Sequence, residues 1–247
     1  METADFLAIL DREGRALAAA AARAGTDAEV PACPDWQVRE LLRHTGAVHR
    51  WAAALVADGH DRPRPMADPP DLDGPELVAW YADSHRRLVD TLAAAPADLE
   101  CWTFLPLPDL TPLAFWTRRQ AHETTVHRYD AEAARGGAPT PIAGGFAADG
   151  IDELLRGFHA RSRSRVRTAE PKVLRVRATD GARDAVWTVR LTAHAAPVTT
   201  RGADGDADAE LSGPAEQLYL ALWNRAPVPH VTGDHSLAAL WRETSGI

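Results

Sequence analysis

Residues 111–137 read TPLAFWTRRQAHETTVHRYDAEAARGG. Thr111 has the hydroxyl of an N-cap, and Pro112 takes the first helical position, where its missing N–H costs nothing. Gly136-Gly137 closes the run, so the segment is predicted to be one unbroken helix. Within it lies His122-Glu123-Thr124-Thr125-Val126-His127-Arg128-Tyr129-Asp130. His122 and His127 are five residues apart, about 140° around a helix of 3.6 residues per turn, and cannot share one metal without distortion. The i,i+4 histidine pair of a zincin is therefore absent. Glu123 and His127 are four apart and project from one face. A carboxylate and an imidazole placed that way supply two of the three protein ligands of an open zinc site.

A third ligand is expected from a facing helix, as in metal sites built into the cores of helix bundles. Working back along the chain, Val38, Leu41, Leu42, Thr45, Val48, Ala52 and Leu55 mark a second helix, after the break at Pro31 and Pro34. It carries His44 and His49, again five apart, so only one of them can serve. Spacing leaves both open. Phe6, Leu7, Leu10 and Leu17 mark a first helix that stops at Gly25. A third opens at Gly74-Pro75, beyond a Pro/Asp-rich loop over residues 61–73, and carries Leu77, Tyr81, Leu88 and Leu92. A shorter apolar helix holds Phe146, Ile151, Leu154, Leu155 and Phe158.

The periodicity changes near residue 163. Arg161-Ser162-Arg163-Ser164-Arg165 reads as a solvated linker. Beyond it Leu174, Val176 and Ala178 alternate with arginines, and Trp187, Val189 and Leu191 alternate with Thr188 and Arg190. Those are two period-two strands, joined as a hairpin at Asp180-Gly181. Residues 213–223 and 236–241 form amphipathic helices, the second capped by Asp234. The expected organisation is a helical domain over residues 1–163 and a smaller α+β domain over 164–247, an antiparallel sheet with helices on one side.

Composition narrows the function classes. The 247 residues are 45% hydrophobic and 25% charged, which excludes a disordered or collagenous chain. A formal net charge of −8 argues against nucleic acid as a partner. Cys33 and Cys101 are too few for a disulfide framework and lack metal spacing. The acidic start, Met1-Glu2-Thr3-Ala4-Asp5, is unlike a signal peptide, and no apolar run reaches the ~20 residues that span a bilayer. A cytoplasmic protein with no membrane partner is expected. His60, His85, His159, His194, His230 and His235 are read as ordinary core or surface residues.

Val30-Pro31-Ala32-Cys33-Pro34-Asp35-Trp36, followed by Val38, Leu41, Leu42 and His44, resembles the N-terminal domain of mycothiol-dependent maleylpyruvate isomerases. That family belongs to the DinB-like four-helix metalloenzymes. The fourth helix resembles its second metal segment. Residues 211–225, LSGPAEQLYLALWNR, followed by Thr232-Gly233-Asp234, look like its small C-terminal domain. The resemblance covers nearly the whole chain in order. It implies an all-α four-helix bundle with a smaller, sterol-carrier-like α+β domain.

It further implies a divalent metal, Zn2+, held by His44, Glu123 and His127, and so selects His44 over His49. Mycothiol would be the thiol cosubstrate. Arg225, from the C-terminal domain, would reach the site as a catalytic residue and hold a substrate carboxylate. Asp130 is a candidate to orient His127. The implied activity is cis–trans isomerisation of an enoyl diacid such as maleylpyruvate, by a monomer. The alternatives are a mycothiol S-transferase acting on another electrophile and a metal-free small-acid binding protein of the same fold. Gln37 stands where a capping Thr or Ser is commoner, and Thr45 where Leu is usual.

Overall fold

Four long helices fill the first half of the computed structural model, which describes residues 1–105, 107, 109–180 and 185–246. They are α1 (Thr3–Ala24), α2 (Val38–Ala57), α3 (Gly74–Ala94) and α4 (Pro112–Arg135). Their starts follow local chemistry. Thr111 Oγ1 accepts from the Ala114 N–H at 3.3 Å, and Asp73 Oδ1 accepts from the Gly74 N–H at 2.8 Å. Gln37 caps α2 despite its unusual identity, because Glu40 reaches back to the Gln37 N–H at 3.0 Å and completes a reciprocal pair. Gly25 and Gly136 end α1 and α4 with φ of 84° and 87°, values that suit glycine.

α1 packs on α4 and α3, while α2 packs on α3 and α4, so α1 and α2 stand at opposite corners of the bundle. Leu10, Leu17, Leu41, Leu42, Leu55, Leu77, Tyr81 and Trp116 form its fully buried interior. α4 departs from the usual two-faced pattern. It has no apolar stripe, yet Thr117, Arg118, Arg119, Gln120, His122, Thr124, Thr125, His127, Arg128, Asp130 and Glu132 are all buried. Many of these side chains are accommodated by bonds to one another, to neighbouring helices or to backbone carbonyls of α4, as with Thr117 Oγ1 donating to Leu113 O and Thr125 Oγ1 to Ala121 O, both at 2.8 Å. Arg128 Nε donates to Glu13 Oε2 at 2.7 Å, and Arg128 Nη1 to Glu132 Oε2 at 2.8 Å. Glu132 in turn accepts from the Thr140 N–H and hydroxyl.

The chain divides into two compact units, residues 1–104 with 108–140, and residues 105–107 with 141–247. The division lies ahead of the boundary expected at residue 163. The cause is α5 (Gly144–Glu153), which packs on α6 (Ala215–Leu222), and the π-helical turn Leu154–Phe158 that continues it and touches β3 (Val198–Arg201). The Arg161–Arg165 run accordingly lies within the second unit.

The second unit carries a five-stranded sheet of order β3-β2-β1-β4-β5, with β1 at Lys172–Ala178, β2 at Val186–Leu191, β4 at Ala209–Gly213 and β5 at His230–Gly233. β1 and β2 pair antiparallel, from Lys172 opposite Leu191 to Arg177 opposite Val186, as the alternation predicts. Gly181 of the expected hairpin turn lies outside the described residues.

The sheet is mixed, which corrects the expectation of an antiparallel one: β4 runs parallel to β1, with Val176 opposite Leu211. After the β1-β2-β3 meander the chain crosses back and enters on the free edge of β1. Arg175 Nη2 donating to Gly205 O at 2.6 Å, and the Asp204 N–H donating to Thr188 Oγ1 at 3.2 Å, tie that crossing to the strands. Leu174, Val176, Trp187, Val189, Leu191 and Leu211 are buried in the sheet. α7 (Ser236–Thr244) starts where Asp234 Oδ1 accepts from the Ser236 N–H at 3.1 Å, and Trp241 Nε1 donates to Leu222 O at 3.0 Å. No helix among the described residues is long and apolar enough to cross a membrane.

Candidate metal centre

The spacing argument puts Glu123 and His127 one turn apart on α4, and the packing of α2 against α4 brings His44 to them. Glu123 Oε1 lies 3.2 Å from His44 Nε2 and 3.3 Å from His127 Nε2. All three potential ligand atoms fall within 4.8 Å of one another, the one cluster of its kind among the described residues. Ligands about 2.0–2.1 Å from a tetrahedral zinc stand roughly 3.3 Å apart, so these oxygen–nitrogen separations suit a shared ion. Two imidazoles and one carboxylate also match the donor set of a catalytic site that keeps an open position. The residues present fit a divalent metal.

The surroundings hold these side chains in place. Asp130, fully buried, puts Oδ2 at 3.0 Å from His127 Nδ1. A carboxylate on Nδ1 fixes the proton there and leaves Nε2 to face the cluster. Trp36 packs on both rings, its centroid 5.1 Å from His44 and 6.1 Å from His127. A tight turn positions it: the Val30 N–H donates to Trp36 O at 2.9 Å and the Trp36 N–H to Cys33 O at 2.8 Å. Exposure falls from 35% for the His44 side chain to 19% for Glu123 and 9% for His127, so the cluster opens on the His44 side.

Charge is strongly coupled here. Burial alone would raise the Glu123 carboxyl, but its bonds to His127 and His44, with the nearby Arg119 charge, hold it well below the usual range. Burial alone would likewise lower His127, and its bonds to Asp130 and Glu123 instead push it up to about 9. Without a metal, the proton on His127 is the cation that this carboxylate pair selects.

The other histidines of the two helices go elsewhere. His49 is fully buried, with Nε2 2.9 Å from Thr124 Oγ1, and burial followed by the nearby His85 holds its pKa well below the ordinary value. His122 is buried edge-on to Phe6, at 6.0 Å between centroids. Arg225 belongs to the second unit, just past α6, where its N–H donates to Leu220 O and its Nη1 to Trp223 O, both at 2.8 Å. One participant escaped the sequence reading. Arg119 Nη2 donates to Glu123 Oε2 at 3.3 Å from a side chain only 2% exposed. Its signal was the row Arg119, Glu123, His127 at steps of four.

A family model described as the mycothiol maleylpyruvate isomerase N-terminal domain matches residues 7–132, and one described as the MDMPI C-terminal domain matches residues 145–240. A crystal structure of the mycothiol-dependent maleylpyruvate isomerase superposes with a TM-score of 0.61 at 15% identity, covering 94% of this chain and 92% of that one. A crystal structure of a histidine-to-alanine mutant of that isomerase gives the same TM-score at 13% identity, covering 92% and 90%. At such identities the likeness is one of fold. No curated protein matches the chain.

Proposed function

Because the chain belongs to the mycothiol maleylpyruvate isomerase family, with both domain models matched in order, we propose that it is a metal-dependent enzyme using mycothiol to isomerise maleylpyruvate or a similar enoyl diacid. The observation that carries the reading is the convergence of His44 Nε2, Glu123 Oε1 and His127 Nε2 from two packed helices. A divalent ion, Zn2+ in this proposal, supplies when bound the Lewis acidity that turns a thiol into a thiolate at neutral pH, the nucleophile that reversible addition to a double bond needs.

The protein's own part is to hold and orient. His44, Glu123 and His127 are the proposed ligands. Asp130 keeps the His127 proton on Nδ1, and Trp36 keeps both imidazole planes from turning. Arg225 is proposed to hold a substrate carboxylate, for which a guanidinium offers two parallel donors. Its variants should raise KM for the diacid and leave metal content unchanged.

The test begins with metal content, by mass spectrometry on untagged wild type beside Glu123→Ala and His127→Ala, with circular dichroism to follow the fold. About one equivalent of zinc in the wild type, lost in both folded variants, supports the centre. Maleylpyruvate and mycothiol are then supplied together. Steady thiol conjugation without isomerisation would replace the isomerase with an S-transferase. A wild type that neither contains nor takes up zinc would end the metal reading and leave a small-acid binding protein.

A further inference from the structure

Away from the metal cluster, the first unit holds a hollow of about 190 Å³ between α2, Trp80 of α3 and the loop over residues 60–68. Two indoles line it, and both are fixed in place. Trp80 rests on the α2 backbone at Gly46, where an added Cβ would collide with its ring. The Arg50 guanidinium lies 5.3 Å from the centre of that ring and donates to Ser84 Oγ at 2.7 Å and Asp83 Oδ2 at 2.9 Å. Trp51 Nε1 donates to Arg64 O at 2.7 Å, and its ring meets Trp116 edge-on at 5.3 Å between centroids. Ala47 and Leu55, both buried, add apolar surface to the lining.

The charges around the hollow are not all matched. Arg50 pairs with Asp83, and His60 Nε2 lies 3.3 Å from Asp58 Oδ2. Arg64 is exposed and makes no ion pair among the described residues; its Nη2 is 3.5 Å from His60 Nδ1. A preformed aromatic lining with a few polar groups at its edge is the usual build of a small-molecule site.

We propose that this hollow binds a single-ring aromatic monocarboxylate, with the ring against Trp51 and Trp80 and the carboxylate on Arg64. Size sets the first part: a cavity of about 150 Å³ admits benzene, so this one holds one ring with a small substituent. Aromatic rings gain from each other's edges and faces, which two immobile indoles supply. The free guanidinium sets the second part, since it can meet a carboxylate through two parallel N–H bonds. Asp68 shares the lining and repels further negative charge, which restricts the ligand to one acid group. No lining residue is a proposed metal ligand, and Trp51 lies seven residues beyond His44, about 10 Å along α2. The inference therefore stands whether or not the metal reading does.

The experiment titrates benzoate into the full chain and follows the indole N–H signals by NMR, with Trp51 and Trp80 assigned from Trp51→Phe and Trp80→Phe. So small a ligand should bind with a Kd of the order of 1 mM and move both signals to saturation. Arg64→Gln should weaken benzoate roughly tenfold, the effect of losing one charge-assisted bond. It should leave benzamide, the uncharged counterpart, unaffected. Ala54→Leu, at an exposed position of the lining, should exclude both. Trp51 and Trp80 signals that stay unmoved well above that Kd would overturn the proposal. So would benzoate binding that is the same in Arg64→Gln, or benzylamine binding more tightly than benzoate, which would give the site to Asp68. Chelation of metal should leave the shifts in place; their loss would put the benzoate on the metal, overturning the second site and supporting the centre.

Discussion

Asp130 Oδ2 stands 3.0 Å from His127 Nδ1, and Asp130 has no exposed surface. A buried carboxylate bonded to the far nitrogen of a ligating histidine fixes its tautomer and raises its basicity. Removing such a partner typically costs about 10–100-fold in metal affinity. Asp130→Ala should therefore weaken zinc binding by that order in competition with a chromophoric chelator, while His127 itself is intact. Asp130→Asn keeps an acceptor without the charge and should fall between the two. An Asp130→Ala protein with undiminished affinity would show that His127 needs no orienting partner.

The same contact gives the metal-free protein a pH dependence whose sign can be worked out. His127 is held at about 9 against an ordinary 6.5, since its bonds to Asp130 and Glu123 outweigh the effect of burial. A group whose pKa is raised on folding contributes stability that is complete below about 6.5 and lost as pH climbs through about 9. Chelator-treated protein should thus melt at progressively lower temperature across that window. Metal-loaded protein should not, because the ion has already replaced the proton. Zinc affinity should rise over the same range as the competing proton leaves. A flat melting curve for the stripped protein would mean that His127 is neutral throughout.

Glu123 acts with the opposite sign. Its carboxyl lies well below the ordinary 4.5, because the bonds from His127 and His44 overcome its burial. Its contribution is present above that ordinary value and disappears as pH falls through the lowered one. Acid titration of the stripped protein should show stability lost below about pH 4.5, and Glu123→Gln should remove that component. An acid limb identical in Glu123→Gln would place the responsible carboxylates elsewhere.

How far the sequence could be read depended on whether a feature was local. The end of α1, the start of α3 and both ends of α4 were legible because Gly25, Gly74-Pro75, Thr111-Pro112 and Gly136 act on their own neighbours. Glu123 and His127 were legible as a pair for the same reason, since one helical turn relates them. The choice of His44 over His49 was not legible from spacing, because it depends on how α2 is rotated against α4. The structure turns His49 to Thr124 and His44 to Glu123. β3 and β5 are four residues each and mostly exposed, so neither shows an alternating pattern. The parallel β1–β4 pair joins residues some 35 apart through a crossing that no turn signal announces. The polarity of α4 concealed its burial, because the partners that satisfy it, Glu13 among them, lie far away in sequence.

That buried network makes a stability prediction. Arg128 bridges Glu13 on α1 and Glu132 on α4, at 2.7 and 2.8 Å, and all three are nearly or fully buried. Removing the cation leaves Glu13 with Arg12, 2.9 Å away on an exposed side chain, and Glu132 with the Thr140 N–H and hydroxyl, so the loss should stay below the roughly 3–5 kcal/mol of a buried charge left with no partner. Arg128→Met should show that loss in urea unfolding. The triple change Arg128→Met, Glu13→Gln and Glu132→Gln should recover much of it, because no unpaired charge remains. A negligible effect of Arg128→Met alone would mean that Arg12 and Thr140 suffice to hold the two carboxylates.

Gly14 sets how closely α1 can approach α3. A Cβ at this position would come within 2.1 Å of the His85 ring, whose Nε2 is 3.0 Å from Leu10 O one turn earlier on α1. Alanine is the better helix former by roughly 0.5–1 kcal/mol, so propensity alone predicts that Gly14→Ala stabilises. Overpacking a tight interior costs about 1–3 kcal/mol and should win. The sign of the change in urea unfolding therefore decides between local propensity and packing. In Gly14→Ala combined with His85→Ala the clash is gone, so the double variant should be more stable than the sum of the two single losses. Simple additivity would show that α1 moves aside to admit the methyl group, and that His85 does not fix the helix spacing.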